Sequence, residues 1–235
     1  MKILAMADLH GDLKNDKYSY AGECLTIVAG DIACDEKHGC CKASNPEDRI
    51  PMSEWFQVYM TPFCCEKGRC DARVLLVLGN HDRFVHENYS PEMLPQNASL
   101  LCDQEMTVKT DKEVLRIYGT SWCPWDKEKR GSQKVRSQIF EDGPGMLRLQ
   151  FGKIPEGLDI LISHCPPRCT KLIRRTSKEL RDRLCEMSNP PRLVICGHSH
   201  GHGEQDVVED ELEGRNGKRI KIVCVAKNCK LIDFV

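Results

Sequence analysis

Short apolar runs separated by polar clusters organise the chain, and five of them end in the same kind of sequence. Residues 2–7 lead into Asp8-Leu9-His10-Gly11-Asp12, and Leu25-Thr26-Ile27-Val28-Ala29 leads into Gly30-Asp31. Residues 73–78 lead into Gly79-Asn80-His81-Asp82, residues 158–163 into His164-Cys165-Pro166-Pro167, and residues 192–196 into Gly197-His198-Ser199-His200. Runs this short, bounded by glycine and polar residues, read as buried strands. Gly79 predicts a tight exit that leaves Asn80 and His81 free to face a crevice.

Other segments are less uniform. Alternation near 99–109 and 113–118 predicts antiparallel strands joined by a turn at Thr110-Asp111-Lys112, and two further strands are expected near 219–225 and 229–234. Thr176-Ser177-Lys178-Glu179 has the spacing of a capping box, with Leu180, Leu184 and Met187 on one helical face and Pro190 as a stop. Helices are also expected over 52–60 and, shorter, near 134–140, whereas 89–97 and 117–125 read as loops and most of 126–156 is left unassigned. Residues 32–71 are polar and carry the cysteine pairs Cys40-Cys41 and Cys64-Cys65, which reads as an excursion bringing Trp55 and Phe56 onto the sheet.

At 235 residues, the chain is read as one domain spanning 1–235 with a cysteine-rich insertion at about 32–71. A net charge of -1 excludes a bulk positive field that would recruit nucleic acid or an anionic membrane. The N-terminal apolar run is interrupted at Asp8, too early for a signal-peptide core, and no apolar run approaches the roughly 20 residues that span a bilayer. The expected location is therefore cytoplasmic, with the 15 cysteines mostly reduced. Cys34, Cys40, Cys41, Cys64, Cys65 and Cys70 include no C-x-x-C pair, so free thiols are favoured over a structural zinc site.

The strand ends carry the candidate chemistry. In an open α/β sheet, loops at the carboxyl ends of strands line a common crevice, so groups distant in sequence can converge. Five of the eight histidines, His10, His81, His164, His198 and His200, occupy this context, together with Asp8, Asp31 and Asn80. Imidazole, carboxylate and amide oxygen together suit Mn, Fe, Zn, Co or Ni better than an all-oxygen Mg or Ca site. The candidate groups exceed the three or four protein ligands of one such ion, which points to two ions, with Asp31 as the candidate bridge. Two ions roughly 3.5–4 Å apart can clamp a phosphoryl group through an in-line displacement.

The ordered set D-x-H (Asp8, His10), G-D (Gly30, Asp31), G-N-H-D (Gly79 to Asp82), H-x-P-P (His164 to Pro167) and G-H-x-H (Gly197 to His200) resembles the calcineurin-like metallophosphoesterase superfamily. Ile117-Tyr118-Gly119 with Trp122 and Pro124-Trp125, and Ile154-Pro155-Glu156-Gly157-Leu158-Asp159-Ile160-Leu161 running into His164, resemble the branch named for metallophosphoesterase-domain-containing proteins. The resemblance implies an α/β fold of α+β type, a four-layer αββα sandwich of two mixed sheets with a dinuclear metal site at the carboxyl ends of strands. By the same resemblance, Asp8, His10 and His200 would hold one ion and Asn80, His164 and His198 the other, with Asp31 bridging. A metal-bridging hydroxide would attack phosphorus directly. His81 would be the general acid rather than a ligand, with Asp82 orienting its ring.

The expected activity is a metal-dependent phosphodiesterase, manganese being one candidate metal, acting on a small phosphate ester that is nucleotide-like. The alternatives are a nuclease or phosphomonoesterase of the same superfamily, or a non-catalytic binding scaffold on this fold. Near-neutral charge weighs against the nuclease. Trp122 and Trp125 read equally as a base-stacking wall or as cover over the core. His202, Glu204 and the basic run Lys171 to Arg175 are read as surface or supporting residues, and Cys165 and Cys196 as small apolar residues.

Overall fold

The apolar runs become the central strands of two sheets. The structure, a computed structural model, describes residues 1–11, 24–32, 54, 73–110, 112–125, 139–172, 174–199, 207–226 and 229–234. In chain order the strands are β1 (Lys2–Met6), β2 (Cys24–Ala29), β3 (Val74–Val77), β4 (Ala98–Leu100), β5 (Gln104–Lys109), β6 (Val114–Thr120), β7 (Cys123–Pro124), β8 (Glu141–Asp142), β9 (Ile160–Ser163), β10 (Leu193–Cys196), β11 (Val207–Glu213), β12 (Arg219–Val225) and β13 (Cys229–Asp233). The described helices are α1 (Arg83–Asn88), α2 (Pro144–Gly152) and α3 (Lys178–Glu186), with a 3-10 turn at Pro91–Met93. None of them is long and apolar enough to cross a membrane.

One sheet has the order β13-β1-β2-β3-β4 and the other β11-β12-β10-β9-β6-β5. Both are mixed: β1 to β4 are mutually parallel with β13 antiparallel at the edge, and β6, β9, β10 and β12 are parallel between antiparallel β5 and β11. Strand alternation sorts the side chains into layers. Ile3, Ala5, Ile27, Leu75 and Val77 of the first sheet meet Leu115, Ile117, Ile160, Ile162, Ile195 and Val223 of the second in one buried core. The opposite parity, Leu4, Met6, Val28 and Leu76, packs with Val85 of α1 and Leu94. On the far face of the second sheet, Leu161, Val194 and Ile222 pack with Leu147 and Phe151 of α2 and Leu180 and Leu184 of α3. This two-sheet sandwich with helices outside is the expected fold class.

Two local expectations change, and two elements form where the sequence predicted none. The alternating stretch near 99–109 is not one strand: β4 ends in the first sheet at Leu100 and β5 begins in the second at Gln104. The chain crosses at Asp103, whose φ is 48°, and whose carboxylate is held by Thr120 Oγ1 at 2.6 Å and Trp122 Nε1 at 2.8 Å. The α3 cap lies one residue later than the Thr176 reading, at Ser177, whose hydroxyl accepts from the Leu180 amide at 3.1 Å. The Gly143-Pro144 pair, within a stretch left unassigned, starts α2, as proline in a first turn favours. The acidic strand β11 was also not anticipated. As an edge strand it keeps its carboxylates in water, and Glu209 reaches Lys221 at 3.2 Å and Lys230 at 2.7 Å. Apart from Glu54, which is helical, the expected helix over 52–60, nearly all of the expected insertion at about 32–71 and most of the expected helix near 134–140 lie outside the described residues, while Ile139 and Phe140 are not helical.

Candidate metal centre

The loops leaving β1 and β2 run side by side. Asp8 N donates to Gly30 O at 3.0 Å, and His10 N donates to Asp31 O at 2.8 Å. The loops after β9 and β10 are tied in the same way, Gly197 N donating to His164 O at 3.0 Å. Four candidate residues, Asp8, His10, Asp31 and His198, have φ between 49° and 63°, the left-handed region that side chains other than glycine seldom adopt. Such conformations cost on the order of 1–3 kcal/mol each and persist where surrounding bonds impose them. The close packing also explains Gly79: a β-carbon there would overlap the Asp31 carboxylate and crowd the His164 ring.

Asp31 is the hub. Its Oδ1 lies 3.4 Å from His164 Nε2 and accepts from the His81 amide at 2.9 Å. Its Oδ2 lies 3.8 Å from His10 Nε2 and 4.0 Å from His81 Nε2, and is buried with no hydrogen-bond partner among the described residues. Ligand atoms of Asp31, His164 and His198 fall within 4.8 Å of one another, and so do those of Asp8, His10 and Asp31. The two groups share Asp31.

Hydrogen bonds behind the donors set their polarity. His164 Nδ1 contacts the Ala29 carbonyl at 2.9 Å, so that nitrogen carries the proton and Nε2 faces the site. Asn80 Nδ2 donates to Glu141 Oε1 at 3.0 Å, which leaves Oδ1 facing His164 Nε2 at 3.1 Å. His198 Nδ1 stands 3.2 Å from the same His164 nitrogen. Both Asp8 oxygens accept from the His198 amide, at 3.1 and 2.9 Å. With Nδ1 paired to the Ala29 carbonyl, a second proton or a cation at Nε2 would satisfy the Asn80 and Asp31 oxygens that face it.

The titration tendencies say the same. Burial acts to lower the basicity of His164, but the Asp31 and Asp8 carboxylates outweigh it and raise the pKa to about 10. Burial acts to raise that of Asp31, but the imidazoles of His164, His81 and His10 hold it well below the usual carboxylate range. Asp8 is pushed up to about 8 by burial, with the neighbouring Asp31 charge adding to the shift against the opposing pull of His164. In the metal-free chain, protons thus occupy the positions that cations fit. The donor set and the orphaned Asp31 oxygen suit divalent transition ions.

A family model described as calcineurin-like phosphoesterase matches residues 1–202. The chain belongs to the calcineurin-like phosphoesterase family. It is also similar to metallophosphoesterase domain-containing protein 1 of Homo sapiens and of Mus musculus, with 31% identity over 133 residues in each case. That match covers 50% of this chain and 34% of each relative, so the chain corresponds to about a third of their length. A match to a probable rhamnogalacturonate lyase C of Emericella nidulans is 23% identical over 143 residues, 57% of this chain and 13% of that protein.

Of the residues expected at the site of this family member, Asp8, His10, Asp31, Asn80, His81, His164 and His198 converge, while His200 lies outside the described residues, as do His202 and Glu204, which were read as surface or supporting residues. Asp82 is buried and its Oδ2 accepts from the Gly79 amide at 2.7 Å, fixing the turn that carries His81. Glu141, buried behind Asn80, was not singled out from the sequence: it lies 61 positions away in a stretch that reads as charged loop. Trp122 is held by Asp103 and meets the Phe140 ring edge-on at 5.7 Å, which makes it part of the packing around Phe140. Cys165 and Cys196 are buried, free thiols turned to backbone carbonyls, in keeping with their apolar reading. In the basic run, Lys171 Nζ is bound to the Glu209 carbonyl at 2.6 Å.

Proposed function

We propose that the chain is a metal-dependent phosphoesterase, specifically a phosphodiesterase for a small nucleotide-like ester, working with two divalent ions that share Asp31. The observation carrying this reading is the orphaned, buried Asp31 Oδ2 between two overlapping donor groups. Asp8, His10 and, by its place in the G-H-x-H block, His200 would hold one ion. Asn80, His164 and His198 would hold the other. Bound there, divalent ions of the Mn, Fe, Zn, Co or Ni class would activate water and neutralise charge developing on the phosphoryl oxygens.

The chain's own residues supply the rest. The His81 amide is bonded to Asp31, so its ring stays beside the shared carboxylate while its side chain remains 21% exposed. From there it protonates the departing oxygen, since an alkoxide leaves far more readily as an alcohol. The Asp82 bond to Gly79 N holds the turn and thereby the ring's direction. A net charge of -1 supports a small substrate over a nucleic-acid polymer.

The test is turnover of phosphomonoesters, linear diesters and cyclic nucleotides by the purified chain with Mn, Ni, Co, Zn or Mg. The proposal expects diester hydrolysis with transition ions. Monoester-only turnover would overturn the diesterase assignment, and no turnover of any ester with any ion would favour a binding scaffold.

A further inference from the structure

An asparagine amide presents two unlike ends, and only its oxygen can ligate a cation. Which end faces the site must be fixed by something behind it. At Asn80 that group is Glu141, whose Oε1 accepts from Nδ2 at 3.0 Å. Both side chains are buried, at 1% and 4% exposure. With the NH2 end of Asn80 donating to that Glu141 oxygen, Oδ1 is turned to within 3.1 Å of His164 Nε2.

Glu141 is itself held in place. It pairs with Cys123 across the short β7–β8 ladder, with Cys123 N donating to Phe140 O at 2.9 Å and Trp125 N to Asp142 O at 3.1 Å. On the other side, Ile139 N donates to the Asn80 carbonyl at 3.1 Å, so the segment bearing Glu141 is bonded to the backbone of the residue its side chain orients. The preceding Phe140 has a φ of 57° and is braced edge-on by His86 at 5.0 Å and Trp122 at 5.7 Å.

We infer that Glu141 is a positioning residue that selects the Asn80 oxygen as a ligand and so sets the affinity of the ion held with His164 and His198. This inference rests on the metal-binding reading above. Because Glu141 acts through the Asn80 amide, it affects one ion and leaves the Asp8–His10 side unchanged.

The experiment titrates Co(II) into the metal-free full chain, followed by calorimetry and by visible absorption, for wild type, Glu141→Gln, Asn80→Ala and the double variant. Outer partners of this kind typically control metal affinity by about 10- to 100-fold. Glu141→Gln is expected to weaken one of two binding events by about that factor and alter its absorption band, because a glutamine amide can pair with either end of Asn80. In the Asn80→Ala background, Glu141→Gln is expected to have no further effect. A second pair keeps the test sharp if Glu141→Gln folds poorly. Asn80→Asp alone sets two acceptors against each other and should bind weakly, and adding Glu141→Gln should recover binding. An unchanged Co(II) titration for Glu141→Gln, an equal loss in the Asn80→Ala background, or no recovery in the second pair overturns the inference. Wild type that binds no Co(II) overturns the metal reading and this inference with it.

Discussion

Asp31 and His164 face each other at the centre of the sandwich's open end, Oδ1 to Nε2 at 3.4 Å, with both side chains essentially excluded from solvent. They follow strands of different sheets, so the contact is one of those that link the two sheets. In the metal-free chain a proton on His164 meets the Asp31 charge, and under the proposed metal binding a cation would take that proton's place.

Metal binding should therefore be coupled to pH. His164, raised to about 10 against burial by its two carboxylate neighbours, and Asp8, raised to about 8 chiefly by burial, would both have to lose protons to act as the proposed ligands. Affinity for Mn or Co should fall as pH is lowered from 9 towards 6. Stability of the metal-free chain should run the other way. A raised folded pKa favours the protonated fold, so the Asp8 contribution is full below the ordinary carboxyl range and lost as pH rises through about 8, and the His164 contribution is lost through about 10. Thermal unfolding of metal-free protein should thus occur at lower temperature as pH rises across this window, and divalent ions should reverse the trend. Calorimetry in buffers of different ionisation enthalpy should show protons released on binding.

His81→Gln should discriminate among leaving groups. General acids contribute about 10²- to 10⁴-fold, and mainly when the departing oxygen is a poor leaving group. Alkyl and nucleoside diesters should lose about that factor in kcat, whereas a diester with a nitrophenolate leaving group should be little affected. Equal losses on both substrate types would remove His81 from the acid role.

Gly79→Ala should disable the site without touching a ligand. The added β-carbon has no room beside the Asp31 carboxylate and the His164 ring. Metal content per chain, measured by plasma emission after dialysis, should fall, while far-ultraviolet circular dichroism stays sheet-dominated.

Ser177→Ala separates stability from chemistry. Its hydroxyl caps α3 and its carbonyl accepts from Arg168 N at 2.9 Å, on the segment that follows His164. Loss of the cap should cost about 1 kcal/mol in urea unfolding, with metal stoichiometry unchanged.

The parts of the fold legible in the sequence were those where one physical rule acted alone. Val74 to Val77 and Ile160 to Ser163 are buried on both faces, so their apolar runs announce them. Each hands its polar residues to the same end of the sheets, which is why Asp31, Asn80 and His164 could be grouped before any contact was known. β11 gives no apolar run to read, because Glu209, Asp210, Glu211 and Glu213 fill most of it, as a solvated edge strand allows. The crossing at Asp103 was hidden because Leu100 and Cys102 before it and Met106 and Val108 after it keep one parity, while a left-handed φ turns the chain to the other sheet. Glu141 was hidden for another reason: its role is a single side-chain bond to a residue 61 positions away, and periodicity carries no information about such a bond.

The most direct test of a centre built on Asp31 is anomalous diffraction from crystals of the chain soaked in Mn(II) or Co(II), with data collected either side of the metal edge. Two anomalous peaks flanking the Asp31 carboxylate are predicted, one beside Asp8 and His10 and the other beside Asn80, His164 and His198. A single peak, or peaks that leave Asp31 uncoordinated, would contradict the account.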